Sequence, residues 1–223
     1  MSKSSTENSP TILGVLASGS GSNLEAIAAA IHNGELNARI AVLIYNKPDA
    51  FCASRAAKFG IPAVLLDHRL YKTREDLDEA IIDVLRQYEV ELTIMAGWMR
   101  VVTQVLLDAF PERVLNIHPS LLPSFPGIHA AEQALRHGVK IAGCTVHIVS
   151  LTVDSGPILR QASVPVMDDD TPDSLQARIQ VQEHIIYPQA IAAYAARLKS
   201  APQPPILAEI ADRSSFESGN LGG

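Results

Sequence analysis

A chain of 223 residues, 47% of them hydrophobic, has the length of one large domain and the apolar content for a sizeable core. A formal charge of -6 without any basic stripe argues against a nucleic-acid partner, because such partners are held by clustered Lys and Arg against phosphates. Cys52 and Cys144 stand far apart with no Cys-x-x-Cys spacing, no apolar run is long enough to span a bilayer, and Met1 to Pro10 lacks a signal's apolar segment; we expect no metal, no membrane and a cytoplasmic setting.

After a polar tail expected over residues 1–10, Thr11 to Ala17 reads as a buried strand running into the loop Gly19-Ser20-Gly21-Ser22-Asn23. Leu24, Ile27, Ala28 and Ile31 then recur with helical spacing, with Ser20 or Ser22 as the expected N-cap and Asn33-Gly34 as the stop. The alternation repeats, with Arg39 to Tyr45 a strand, Phe51 to Phe59 a helix ended by Gly60, and Ala63 to Leu66 a strand. Thr73 to Tyr88 is an amphipathic helix opened by a Thr73–Asp76 capping box, and Leu92 to Ala96 the following strand.

Thr103 to Phe110 is predicted helical, Val114 to His118 a strand, Ala130 to His137 a helix and Gly143 to Val149 a strand, the pattern continuing to Val166. Thr171 caps a long last helix with Pro172 in its first turn, and Pro188 is placed to kink or interrupt it. Alternating strands and helices predict an α/β fold with a mostly parallel sheet, one domain over residues 11–200. From Ala201 the composition turns rich in Pro, then Ser and Gly, and a mobile tail is expected over 201–223.

Ligands of open parallel sheets bind beyond the carboxyl ends of strands, so residues directly after each strand carry the information. The small residues of Gly19 to Asn23 allow backbone N–H groups to meet a phosphate at a helix N-terminus, although a Ser-capped tight turn explains the loop equally well. A dinucleotide fingerprint is absent, since Leu24 takes the third glycine position and Tyr45-Asn46-Lys47 supplies no acid. In Asn116-Ile117-His118-Pro119, strand alternation puts Asn116 and His118 on one face, an amide donor beside a proton carrier, as acyl transfer requires.

Asp154-Ser155-Gly156-Pro157 reads by itself as a turn; brought beside His118, Asp154 would orient the ring and favour imidazolium. Gly97 in Met95 to Val102 permits close approach, with Trp98 and Met99 either walling a flat heteroaromatic ligand or packing in the core. Of the remaining histidines only His129 and His147 are candidates for lining a site. Asp168-Asp169-Asp170 reads as a solvated loop complementing the next helix's positive end, not as a metal site.

Taken in order, Gly19-Ser20-Gly21-Ser22-Asn23, Ala96-Gly97-Trp98-Met99-Arg100, Asn116-Ile117-His118-Pro119-Ser120-Leu121-Leu122-Pro123 and Asp154-Ser155-Gly156-Pro157 resemble the motifs of the phosphoribosylglycinamide formyltransferases, from about Thr11 to about Leu198. The resemblance implies a Rossmann-like formyltransferase fold and direct transfer of formyl from 10-formyltetrahydrofolate to glycinamide ribonucleotide. It implies Asn116, His118 and Asp154 as catalytic, with Asp154 keeping His118 protonated. Gly21, Ser22, Asn23 and Glu183 would bind the ribonucleotide, and Arg74, Met99, Arg100, Val101, Val102 and Asn116 the folate. The folate is then a co-substrate, with no tightly bound cofactor, and the chain a monomer or homodimer.

From the residues alone, Arg74 is equally a solvated helix charge and Glu183 a surface partner for a cation. Ile148, where an aromatic or other large residue is common, and Leu151, where an acid is frequent, depart from the family pattern. Methionyl-tRNA formyltransferase resembles the same centre but adds a C-terminal domain for which this chain is not expected to have room. Formyltetrahydrofolate deformylase adds an N-terminal domain, whereas the catalytic-type fold here is expected to begin near residue 11. A nonenzymatic folate- or nucleotide-binding module would use the loop and pocket without needing His118.

Overall fold

In the computed structural model, residues 9–200 are described, so the two expected tails lie outside the described residues except for Ser9 and Pro10. The apolar run that predicts the first strand forms β1 (Thr11–Ala17), which pairs in parallel with β2 (Ala38–Tyr45) on one side and β4 (Leu92–Met95) on the other. β3 (Ala63–Leu65) extends the sheet beyond β2, and β5 (Val114–His118) beyond β4, both also in parallel. β6 (Ile141–Ile148) and β7 (Ile158–Pro165) complete a seven-stranded sheet in the order β3-β2-β1-β4-β5-β6-β7.

The last two strands run antiparallel. β6 and β7 are joined by a turn with no helix between them, which brings the chain back alongside itself. Repeating strand–helix units therefore account for the parallel part of the sheet, this return accounts for the antiparallel pairing of β7, and β6 runs antiparallel to β5 although a helix, Ala130–His137, lies between them.

Among the described residues six α-helices cover the sheet: α1 (Ser22–His32), α2 (Cys52–Lys58), α3 (Arg74–Gln87), α4 (Gln104–Ala109), α5 (Ala130–His137) and α6 (Pro172–Lys199). Alternation along β1 decides which residues meet which layer. Leu13, Val15 and Ala17 pack with Leu24 and Ile27 of α1 and Ile179, Tyr187 and Ile191 of α6, while Leu16 faces Leu77, Ile81 and Leu85 of α3. The result is a sheet between two helical layers, each with its own apolar core.

Two local expectations are corrected. Neither Ser20 nor Ser22 caps α1: Gly21 takes the N-cap position in the left-handed region at φ 75°, with no side-chain cap, and Ser22 is already helical. Cys52 packs against the Gly21 backbone so closely that a Cβ there would lie 2.6 Å from the Cys52 Cβ. Pro188 does not interrupt α6, which runs unbroken from Pro172 to Lys199; buried Ile186, Tyr187, Ala190 and Ile191 on both sides of it hold the helix to the sheet. The capping boxes at Thr73 and Thr171 form as their sequences predict.

Candidate active site

The strand order reverses between β1 and β4, because the chain builds outward from β1 to β3 and then returns to β1's other side. Such a switch point leaves a crevice at the carboxyl ends of the strands. A cavity of about 590 Å³ opens there, within the range of small-molecule sites. Its walls come from the loop after β1, the loop after β4, the end of β5, the segment before α5, the turn holding Asp154, and α6.

On the β1 side, Gly21, Ser22 and Asn23 line the cavity. With no side chain capping α1, its first N–H groups face the cavity end of the helix. The Ser22 hydroxyl accepts from Gln180 Nε2 at 2.9 Å, and Asn23 Nδ2 donates to Glu183 Oε2 at 2.9 Å. Glu183 is buried, and burial raises its carboxyl above the usual value, only partly opposed by the Asn23 hydrogen bond. It is therefore a buried cavity acid, not a surface partner for a cation.

The wall after β4 is held at both ends. Ser18 donates its N–H to the Gly97 carbonyl at 3.1 Å and accepts the Met99 N–H on its hydroxyl at 2.9 Å. Beyond the wall, the Thr103 N–H donates to buried Asp78 at 2.6 Å. Met99, Arg100 and Val101 line the cavity, whereas the Val102 side chain is buried in the core with Trp98 and Leu106. Arg74 is exposed at the start of α3 and does not line the cavity, which places both it and the Val102 side chain apart from the other folate-side residues.

At the cavity floor the structure brings Asn116, His118 and Asp154 together. Asn116 and His118 project from the same face of β5, and the turn after β6 carries Asp154 over them at φ 54°. His118 Nδ1 lies 3.3 Å from Asp154 Oδ2, and its Nε2 is 2.9 Å from the Phe125 carbonyl. A carbonyl and a carboxylate only accept, so both ring nitrogens face acceptors, an arrangement that suits imidazolium. Burial alone would raise the Asp154 carboxyl, but the Gly127 N–H at 2.7 Å and the neighbouring His118 hold it below its usual range, ionised and aligned.

From the sequence His129 and His147 are candidates for lining a site, whereas Gln176 and Gln180 are not singled out; the structure puts His129, Gln176 and Gln180 in the cavity wall and His147 behind it. His147, on β6, is buried with Nε2 3.2 Å from Asn116 Nδ2; antiparallel pairing places it directly opposite Asn116. That contact joins residues 31 apart and has no local sequence signal. Gln176 and Gln180 did have one: with Glu183 they form a polar line at i, i+4, i+7 on an otherwise apolar helix face. The exposed ring of His129, at the start of α5, also lines the cavity.

Asp170 is less solvated than the acidic run suggests. Arg178 grips it with two hydrogen bonds of 2.6 and 2.8 Å, and Arg178 with the Met167 and Ser174 contacts holds its carboxyl well below the usual range. Lys140 pairs with Asp168 at 3.2 Å. No cluster that could hold a metal occurs among the described residues, and none of their helices is long and apolar enough to cross a membrane.

The model of the family described as formyl transferase matches residues 13–191, which include every one of these cavity segments. Phosphoribosylglycinamide formyltransferase of Bacillus subtilis (strain 168) is 44% identical over 177 residues, covering 79% of this chain and 91% of the relative. The trifunctional purine biosynthetic protein adenosine-3 of Homo sapiens is 41% identical over 187 residues, 84% of this chain but 18% of that much longer protein. The crystal structure of glycinamide ribonucleotide transformylase 1 from Symbiobacterium toebii superposes with a TM-score of 0.84 at 46% identity, covering 88% of this chain and 92% of that one. By fold, by sequence and by the extent of the match, the chain belongs to the formyl transferase family, among its phosphoribosylglycinamide formyltransferases.

Proposed function

We propose that the chain transfers the formyl group of 10-formyltetrahydrofolate to the amine of N1-(5-phospho-D-ribosyl)glycinamide, a step of purine biosynthesis. The observation that carries this reading is the convergence of Asn116, His118 and Asp154 on one cavity floor. The substrate amine attacks the formyl carbon, the carbonyl becomes an oxyanion in a tetrahedral intermediate, and the bond to the folate nitrogen then breaks. The amine's proton passes to the departing folate nitrogen through water, so the atoms balance without an acyl-enzyme.

Asn116 supplies an N–H to the oxyanion and His118 a positive charge in a buried site, where electrostatic stabilisation is strong. Asp154 keeps that charge in place. The uncapped start of α1, with Gly21, Ser22 and Asn23, suits the substrate phosphate, and Glu183 the same substrate further along the cavity. Met99, Arg100 and Val101 suit the flat pterin, joined by the backbone of Val102 and by Arg74 from outside the cavity. Both ligands are substrates, no tightly bound cofactor is required, and the enzyme works in the cytoplasm as a monomer or homodimer.

The test is formyl transfer from 10-formyltetrahydrofolate with and without glycinamide ribonucleotide, for wild type and His118→Ala. Acceptor-dependent formylated product that disappears in the variant is expected. Donor hydrolysis without acceptor would instead indicate a deformylase, and tight folate binding without turnover a binding module. An Asp154→Asn enzyme whose pH–rate profile matches wild type would remove Asp154 from its assigned role.

A further inference from the structure

We infer that His147 is a positioning residue that sets which end of the Asn116 amide faces the reacting carbonyl. The inference rests on the oxyanion role proposed for Asn116. His147 Nδ1 lies 3.0 Å from the Ile148 carbonyl oxygen, which can only accept, so the neutral ring carries its proton on Nδ1. Nε2 is then a lone pair. Asn116 Nδ2 is 3.2 Å from it, within hydrogen-bond range, whereas Asp154 Oδ1 at 3.6 Å is outside that range and has no hydrogen to give.

One N–H of the Asn116 amide is therefore committed to His147. Its second N–H is left as the donor for the oxyanion, and its carbonyl oxygen is turned away. A primary amide without this anchor can rotate to present its oxygen instead, and oxygen facing oxyanion repels where nitrogen would stabilise. Because β5 and β6 pair Asn116 with His147 directly, and His147 is 1% exposed, the anchor is rigid and shielded from competing water. His147 does not line the cavity, so its effect on the reaction passes through Asn116.

The experiment is a kinetic cycle on the full chain with His147→Ala, His147→Gln, Asn116→Ala and the double alanine variant, together with the nitrogen NMR shifts of His147 in the wild type. Loss of a properly aimed oxyanion donor costs about 10²- to 10³-fold, and a misdirected one part of that. We expect His147→Ala to lower kcat at least about tenfold with both KM values near wild type. His147→Gln, whose side-chain oxygen can accept from Asn116, should recover part of the loss, and His147→Ala should add little once Asn116 is alanine. The spectrum should show the proton on Nδ1.

Losses that multiply in the double variant, or a proton on Nε2 directed at Asp154, would overturn the inference. The spectrum decides even if the alanine variant fails to fold. If Asn116→Ala turns over like wild type while the spectrum still shows the proton on Nδ1, it is the oxyanion assignment that has failed.

Discussion

An imidazole set between a carboxylate and a backbone carbonyl has an acceptor facing each ring nitrogen, and that is the position of His118. Its neighbour Asn116 is the neutral counterpart, an amide with one N–H already engaged by His147. Replacing Asn116 by Ala is expected to cost about 10²- to 10³-fold in kcat, roughly 3 to 4 kcal/mol, with KM little changed; steady-state kinetics at saturating donor checks this. Glu183 presents the opposite problem, an acid whose ionised form is disfavoured by burial. Because its carboxyl sits above the usual 4.5 in the fold, the stability linked to its proton is full below that value and is lost as pH rises through the folded-state value. Glu183→Gln should therefore raise Tm at pH 7, by about 2 to 4 °C per kcal/mol relieved, with the gain shrinking as pH falls into the carboxylate range. The same variant should raise KM for the ribonucleotide.

Among the elements, the start of α1 is built for a ligand at some expense of helix stability, since its N-cap is a left-handed Gly21 with no side-chain acceptor. Gly21→Ala meets both an unfavourable φ of 75° and the Cys52 side chain. A loss of about 1 to 3 kcal/mol is expected from the backbone conformation alone, measurable by urea unfolding, together with weaker ribonucleotide binding. Local signals predicted helix and strand positions well, because caps, Gly stops and apolar periods act over a few residues. The capping boxes at Thr73 and Thr171 are examples. The Ser caps expected for α1 failed because Cys52, thirty-one residues along the chain, packs against the Gly21 backbone. Pro188, expected to kink or interrupt the last helix, does not interrupt it, and the buried contacts that carry α6 past it come from the sheet.

At the scale of the whole molecule, α6 ties the sheet together across the switch point. Its Tyr187 is fully buried, and its hydroxyl is shared between the carbonyls of Met95 at the end of β4 and Leu115 in β5, at 3.0 and 3.1 Å. Tyr187→Phe leaves those carbonyls without this donor and should lower unfolding free energy by about 1 to 3 kcal/mol, read from denaturant curves, while kcat stays near wild type. The sequence by itself determined the α/β class, the order of the elements, the four motif segments and the pairing of Asn116 with His118, because each depends on spacing within a single strand, turn or helix. Only the tertiary structure decided that Asp154 lies over His118, that His147 stands opposite Asn116, that Glu183 is a buried cavity acid, and that Arg74 and the Val102 side chain stand outside the cavity. Those facts depend on strand order, on the antiparallel return of β6 and on the path of α6, all of which are set by which apolar faces pack against one another across long separations in the chain.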